Sequence, residues 1–567
     1  MKYHVLAVDY DGTIAHDGQV DCETIEALKR LKASGRRLVL VTGRRLEPLF
    51  EILPDIQLFD RIVAENGAVL YDPADKRERL LASSPSPRFA ARLHELGVEP
   101  VEFGRVIVAM WRPHEHAALE AISELNLELQ IVFNKDAVMV LPSGVNKSVG
   151  LQAAISDMGF SRLNVVAVGD AENDLTMLEA AGASGAVSNA LDSVKAAADI
   201  VLSHARGQGV SELIERVLAT DLIELPVRES RKIKVGRYST DDTLELPLLG
   251  ESLLITGGPG GGKSKLAIAF VEQLAPRGAQ ACIIDPEGDY QGVGSAVILG
   301  TADRAPEIEE VVRALENPSD HCIVSLFAVE KKNRPDYFNR LFMALAELRS
   351  RTGHPHWIII DEAHYAVPRE RTSLPNLLKT ELEGLMFVTA YADRLAPEVL
   401  NSVGWIICVS DDPHESILVS RQIIGSGAVI PEPPEEKEKR ALVWKNGSHE
   451  PVWFIPTSTD ADNFRHQHSY LEGELEPTQR FVFRGPESKL NLQAQNISIF
   501  LQLLEGIDEE TYLFHLVRND YSTWFDDVIH DDVIAAKLKE IEGSKEPAME
   551  SRLMILQVIR ERFAAKL

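Results

Sequence analysis

The sequence predicts an α/β chain, with two parallel-sheet units in succession followed by a small helical one. Three observations predict it. Short apolar runs alternate with helical patterns up to about residue 222, the same alternation resumes at residue 252, and apolar spacing turns helical after residue 476. Apolar runs of strand length separated by helices indicate a sheet covered on both faces. The 567 residues are also too many for one ordinary core, at about 100 to 200 residues per domain.

In the first unit the strands are "YHVLAVDY", "RRLVLVTG", "NVVAVGD" and "ADIVLS", with "ETIEALKRLKAS" as the helix after the first. That strand ends in "DYDGT", which sets Asp9 and Asp11 two residues apart at the carboxyl end of a parallel strand. α/β folds place their ligands there. Side chains two apart share a face, so both carboxylates converge on one substrate. The next strand ends in "TGR" with Thr42 and Arg44; Lys147 begins a helix in "GVNKSVGL"; a further strand ends in "GDAENDL" with Asp170, Asn173 and Asp174.

This ordered set resembles the haloacid dehalogenase-like phosphatases over residues 1–222. The resemblance implies a Rossmann-like core and a Mg²⁺-dependent phosphatase. Asp9 would attack phosphorus to form an aspartyl-phosphate, and Asp11 would protonate the leaving oxygen and then activate water. Thr42 and Lys147 would hold the phosphoryl oxygens. Asp9, Asp11, Asp170 and Asp174 supply hard oxygen ligands suited to Mg²⁺, with Asn173 and Arg44 in support. Over 100 residues separate Thr42 from Lys147, and about 80–141 of them read as a small α+β cap: "RVIVAMW", a helix from "PHEHAALEAISEL", and "LQIVFNKDAVMVLP". That position, with "ENGA" and "GDAENDL", is similar to the subgroup of sugar phosphatases and archaeal-type phosphoglycolate phosphatases. A cap so placed implies a small phosphorylated metabolite as substrate.

Residues 221–250 read as a helix exit, then a short charged lead-in strand and loop. The second unit begins with "SLLITG" and continues through "QACIIDP", "HCIVSLF", "HWIIIDEAH" and "LMFVTA". "GGPGGGKS" satisfies G-x-x-x-x-G-K-S between a strand and a helix, with Gly257, Gly258, Pro259, Gly260, Gly261, Gly262, Lys263 and Ser264 as candidate ATP contacts. Its glycines let backbone N–H groups turn onto phosphate oxygens, Lys263 reaches the β- and γ-phosphates, and Ser264 binds Mg²⁺. The strand "HWIIID" ends in Asp361, suited to a magnesium role, and Glu362, suited to polarising water. A kinase has no need of that glutamate, which favours hydrolysis.

"CIIDPEGDY" together with "IIIDEAH" resembles the HerA and FtsK type of P-loop ATPase over residues 230–456. The resemblance implies a RecA-like fold, ATP as ligand, a homo-oligomer (a hexamer in that family) with an arginine reaching the neighbouring site, and DNA as a possible partner. Arg394 and Arg421 are the candidate arginines, although an ordinary surface role suits each better. One departure stands out. Thr389 is followed by Ala390 where those motors carry Thr-Gln, and loss of that amide would weaken sensing of the γ-phosphate. The readings left open are a metabolite phosphatase regulated or assembled by its ATPase, a DNA-associated motor whose phosphatase acts on nucleic-acid ends or nucleotides, and a kinase–phosphatase pair as in polynucleotide end-repair enzymes.

"PEPPEEKEKR" at 431–440 reads as an exposed loop before the strands "ALVWKNG" and "HEPVWFIP", and residues 476–567 read as a helical accessory domain. There His515, Tyr521 and Trp524 are read as core rather than pocket, and His466 and His468 as a solvated loop rather than a metal site. Hydrophobic residues make up 45% of the chain and charged residues 26%. No apolar run approaches the ~20 residues that span a bilayer, and "MKYHVLAVDYDG" is a poor signal peptide, so a cytoplasmic protein without a membrane partner is expected. The net charge of −27 argues against a surface that broadly attracts nucleic acid. Cys22, Cys282, Cys322 and Cys408 lack C-x-x-C spacing, and the expectation is core thiols in a reducing compartment.

Overall fold

The computed structural model of the chain describes all residues except 135–136, 239–241, 259–260, 287–289, 291–292, 295, 302, 370–382, 411, 425–429, 434–440, 449, 458–479, 487–489, 491, 530–531, 545 and 564–567. It divides into two compact units. One comprises Met1–Lys263, Gln273–Gly288 and Val297–Ile455, the other Ser264–Glu272, Asp289–Ala296 and Pro456–Leu567. The first carries two large sheets, each with its own apolar core.

The first sheet has eight strands in the order Ile200–Val201, Ala183–Ala186, Val165–Gly169, Val5–Asp9, Arg37–Val41, Arg61–Ala64, Val69–Asp72 and Arg77–Leu80. Pairing is parallel as far as Arg61–Ala64 and antiparallel beyond it. All five residues of Val5–Asp9 are buried, as expected of a central strand covered on both faces. The helix that follows, Cys22–Ala33, starts where Asp21 accepts the Thr24 N–H at 2.8 Å, and it buries Ile25, Leu28 and Leu31 at helical spacing. The sheet is thus the Rossmann-like core expected of the haloacid dehalogenase fold.

Residues 87–142 form a separate layer. Helices Pro87–Glu95 and Glu115–Glu124 lie on an antiparallel sheet in the order Leu129–Asn134, Ala137–Pro142, Val108–Trp111 and Glu102–Phe103. Phe89, Leu93, Met110, Val138 and Val140 are the centre of its small core.

The second large sheet has eleven strands. Its middle is parallel, in the order Trp405–Val409, Leu253–Thr256, Leu385–Thr389, Trp357–Ile360, Ala281–Asp285 and His321–Ser325. Beyond Trp405–Val409 lie the antiparallel strands Ala441–Lys445 and Val452–Pro456, then Lys232–Arg237 and Thr243–Pro247. These last two correct the lead-in reading. Apolar Ile233, Val235, Leu244 and Leu246 are all buried, so the charged stretch closes as a hairpin rather than as one strand and a loop.

The two sheets meet at the amino ends of their strands. Ser161 Oγ donates to Gly278 O and Arg162 Nη2 to Pro276 O, each at 2.9 Å, and His354 Nε2 lies 2.9 Å from Gly159 O. The carboxyl ends of both sheets, where such folds bind ligands, lie away from this seam.

The other unit is helical in its carboxyl-terminal part, with helices Ile497–Gly506, Glu509–Leu516, Asp520–Asp527, Asp532–Glu542 and Ala548–Phe563 and one hairpin, Phe481–Phe483 with Leu492–Ala494. Tyr521, Trp524 and His515 are buried around Phe481, so they are core. Cys282, Cys322 and Cys408 are buried free thiols, and Cys22 is exposed. No helix among the described residues is long and apolar enough to cross a membrane.

Candidate active sites at the strand ends

Asp9 is the last residue of its strand, and Lys147 is the first of helix Lys147–Asp157, whose start Asn146 caps by accepting the Val149 N–H at 3.0 Å. Gly67, at φ +107°, presses against that cap; any Cβ there would run into the Asn146 carbonyl. Lys147 is thereby held over the end of the central strand. Its ammonium donates to Asp9 Oδ1 and to Asp174 Oδ1, both at 2.6 Å. Asp174 Oδ2 in turn accepts the Asp170 and Ala171 N–H groups at 2.9 and 3.0 Å. Carboxylate oxygens of Asp9, Asp170 and Asp174 all lie within 4.8 Å of one another.

This buried cluster carries three carboxylates against one ammonium. Burial, and after it the Asp174 charge, push Asp9 up to about 8 against the pull of Lys147. Burial works against the charge on Lys147, but Asp174 and Asp9 outweigh it and raise its pKa. A hard dication fits here, because it would supply the positive charge the site lacks and take oxygen ligands.

Thr42 is fully buried at the end of the neighbouring strand, and its Oγ1 accepts the Arg44 N–H at 3.1 Å. Asp11 lies outside the carboxylate cluster. Both of its oxygens accept from the Arg44 guanidinium at 2.7 Å, a two-pronged pair. Asn173 donates to Asn66 Oδ1 at 3.1 Å, while its own Oδ1 is buried without a hydrogen-bond partner. The 87–142 layer reaches this site, since a Cβ on Gly43 would lie 3.6 Å from Met139 Sδ.

Sequence reasoning gave Glu65 no role. Its buried carboxylate accepts three backbone N–H groups, from Arg105 at 2.8 Å, Val106 at 2.8 Å and Ile107 at 2.9 Å, in the turn between strands Glu102–Phe103 and Val108–Trp111 of the 87–142 layer. The available signal was the Asn-Gly pair that follows it, a mark of positive φ; Glu65, Asn66 and Gly67 all have positive φ.

At the second site Gly257 (φ +131°) follows strand Leu253–Thr256, and a Cβ there would run into Val409 O. A Cβ on Gly261 would lie 2.7 Å from the same oxygen. A Cβ on Gly258 would collide with the Glu415 carboxylate, and Gly262 has φ +100°. Pro259 and Gly260 lie outside the described residues, as do Glu287, Gly288 and Asp289 of "DPEGDY", His466 and His468. Lys263 opens helix Lys263–Glu272 and donates to Gly258 O at 2.8 Å; burial lowers its pKa, opposed by Glu362 and Asp361. Ser264 is the second residue of that helix. Buried Asp361 and left-handed Glu362 (φ 43°) follow strand Trp357–Ile360 directly. Thr389 ends the strand between this one and Leu253–Thr256. Arg394 is exposed, with its guanidinium 4.2 Å from the Tyr391 ring centre, and Arg421 is exposed on helix Pro413–Ile424.

Comparison with known proteins bears on the first site. Residues 6–97 and 115–214 match the haloacid dehalogenase-like hydrolase family. The phosphoglycolate phosphatase of Methanothermobacter thermautotrophicus is 30% identical over 219 residues, which are 38% of this chain and 98% of that protein. That of Halobacterium salinarum is 30% identical over 220 residues, 37% of this chain and 96% of the relative. Among solved structures, a haloacid dehalogenase-like hydrolase from Bacteroides thetaiotaomicron aligns at 21% identity and a TM-score of 0.34, over 38% of this chain and all of that one. The matched span holds Asp9, Thr42, Lys147, Asp170 and Asp174, and through it the chain belongs to the haloacid dehalogenase-like hydrolases.

Proposed function

We propose that the chain is a Mg²⁺-dependent phosphomonoesterase that works through an aspartyl-phosphate on Asp9, joined to an ATP-binding and ATP-hydrolysing part. The observation that carries the first half is the buried Lys147 ammonium shared by Asp9 and Asp174 inside a three-carboxylate cluster. A cation held by Asp9, Asp170 and Asp174 would offset charge on the phosphoryl oxygens and keep Asp9 ionised. Asp9 attacks phosphorus as the ester P–O bond breaks, and the leaving oxygen takes a proton from Asp11. Asp11 then removes a proton from water as the water oxygen attacks phosphorus, which frees Asp9 and releases inorganic phosphate. Thr42 and Lys147 hold the phosphoryl oxygens throughout, and the unpartnered Asn173 Oδ1 marks a further polar contact in the same recess. Arg44 donates to both oxygens of Asp11, and a substrate phosphate would compete for that guanidinium.

The layer at 87–142 brings Met139 beside Gly43, which favours a small substrate. The relatives' names make 2-phosphoglycolate the first compound to test. The second half rests on the glycine-lined turn before Lys263 and on strand order. One strand separates Leu253–Thr256 from the strand that ends before Asp361 and Glu362, which supports a RecA-like arrangement related to the HerA and FtsK ATPases. The seam at the amino ends of the strands sets the two sites at opposite edges. It therefore favours separate reactions over the relay of one substrate that an end-repair kinase–phosphatase performs.

One experiment tests both halves. Phosphate release is measured for wild type, Asp9→Asn and Lys263→Ala, with a panel of small phosphate esters and with ATP in the presence and absence of DNA. Asp9→Asn loses ester hydrolysis and keeps ATP hydrolysis, and Lys263→Ala does the reverse. Ester hydrolysis that survives Asp9→Asn sinks the first half; ATP hydrolysis that survives Lys263→Ala sinks the second. Stimulation by DNA would move the reading to a DNA-associated motor.

A further inference from the structure

Thr389 closes strand Leu385–Thr389, beside the strand that ends just before Asp361 and Glu362. His364, which sequence reasoning did not single out, occupies the space between that strand end and Glu362. It is three residues beyond Asp361, on the short helix Ala363–Ala366, and its side chain is buried. His364 Nδ1 lies 2.9 Å from Thr389 Oγ1 and 3.2 Å from Glu362 Oε2. Thr389 Oγ1 also accepts the Tyr391 N–H at 3.0 Å, so the hydroxyl is anchored to the loop that follows its strand. The imidazole lies 4.0 Å from the Tyr365 ring and 5.1 Å from that of Tyr391, centre to centre.

Chemistry selects the tautomer. With the proton on Nε2, the Nδ1 lone pair would face a carboxylate oxygen at 3.2 Å, a repulsive contact. With the proton on Nδ1, the ring donates toward both Glu362 and Thr389. The ring is neutral at pH 7, held down to about 4 by burial and then by Arg394 and Lys331. Nε2 is buried without a hydrogen-bond partner. A histidine that leaves one nitrogen unsatisfied in the interior gives up stability, and Glu362 beside it sits in the left-handed region, which a non-glycine residue holds only when its surroundings enforce it.

We propose that His364 is a positioning residue of the ATPase site: its Nδ1–H, on the helix that follows Glu362, ties the Glu362 carboxylate to Thr389. The proposal rests on the reading of this part as an ATPase. In that reading the imidazole neither touches nucleotide nor moves a proton. It fixes the direction in which Glu362 faces the attacking water, and it joins Glu362 through Thr389 to the loop that carries Tyr391 and Arg394.

The test uses the full chain and three variants, His364→Leu, His364→Asn and Thr389→Val. Asparagine can present an amide N–H near the position of Nδ1; leucine fills space without donating. Binding of a fluorescent ATP analogue and steady-state ATP hydrolysis are measured side by side. His364→Leu is expected to lower kcat by about 30-fold, the scale of a misaimed reacting group, while the Kd for the analogue stays within about threefold, a small fraction of that scale. His364→Asn is expected to recover most of the loss. Without nucleotide, the melting temperature of His364→Leu combined with Thr389→Val falls no further than that of the worse single variant, because both remove one shared link.

Hydrolysis unchanged in His364→Leu overturns the proposal, as does a His364→Asn variant no better than leucine, a loss of affinity that matches the loss of rate, or additive melting shifts. Lys263→Ala separates the two levels. If it hydrolyses ATP like wild type, the ATPase reading itself falls, and the proposal falls with it for that distinct reason.

Discussion

Asp9→Asn keeps the shape of the side chain and an acceptor for Lys147 Nζ while it removes the carboxyl group whose ionisation would add a third negative charge to the cluster. In the metal-free protein, burial and then Asp174 lift Asp9 from 3.8 to about 8. A folded value above the unfolded one means that the native state binds this proton more tightly. The stability this contributes is complete below the unfolded value of 3.8 and is lost as pH rises through about 8. By pH 9 an ionised Asp9 costs the native state on the order of 5 kcal/mol, at ~1.4 kcal/mol per pH decade. Asparagine does not titrate, so the cost is absent in the variant.

The assay is scanning calorimetry in chelator between pH 6 and pH 9, followed by the same series with Mg²⁺. Wild type should lose stability with rising pH more steeply than Asp9→Asn, and at pH 9 the variant should melt roughly 10 °C higher, at about 2 to 4 °C per kcal/mol for a domain of this size. Mg²⁺ should reverse the order. A ligand at 100 times its Kd adds ~2.7 kcal/mol to the state that binds it, and the variant has lost a charged ligand oxygen. A variant that melts at or below wild type in chelator across this range, or that gains as much from Mg²⁺ as wild type does, refutes the reasoning.

Two further outcomes are expected. Lys147→Met leaves Asp9 and Asp174 buried without their cation, which should cost about 3 to 5 kcal/mol and abolish ester hydrolysis; a melting temperature within 2 °C of wild type would contradict the charge balance described. Glu65→Gln keeps the side-chain size but removes the charge from an acceptor of three N–H groups, so a loss of about 2 kcal/mol and a raised KM for the phosphate ester are expected, because the 87–142 layer loses its tether. Steady-state kinetics with thermal denaturation would check this, and an unchanged KM would reduce Glu65 to a purely structural role.

Much of the first site was legible because its chemistry sits at strand ends. An apolar run that stops at a carboxylate places that carboxylate at the edge of a parallel sheet, and "VLAVDYD" and "NVVAVGD" did so for Asp9 and Asp170. The partners of these groups were not legible. Asp11 and Arg44 are 33 residues apart, and only the packing of adjacent strands shows that the guanidinium takes both oxygens of Asp11 and holds it away from the cluster. Nothing in the sequence singles out Glu65 as buried, since a carboxylate is seldom buried without partners. Its partners are backbone N–H groups 40 to 42 residues later, and no side-chain pattern announces them. The hairpin at 232–247 was hidden for a related reason: alternation of charged and apolar residues is what a strand with one solvated face requires, and only the first part of the stretch was read as a strand, the rest as a loop.

By itself the sequence determined the kinds of chemistry present and their order along the chain: carboxylates, a lysine and a glycine-rich turn at the ends of apolar runs. Spacing of apolar residues is a local property, and it fixes where strands begin and end. The tertiary structure alone decided which charges share a low-dielectric space. Asp9, Lys147 and Asp174 are separated by 138 and 27 residues, and their electrostatics depend on distances of 2.6 Å that no local pattern encodes. The same holds for His364, which becomes a link between Glu362 and Thr389 only once two strands lie side by side and shut out water.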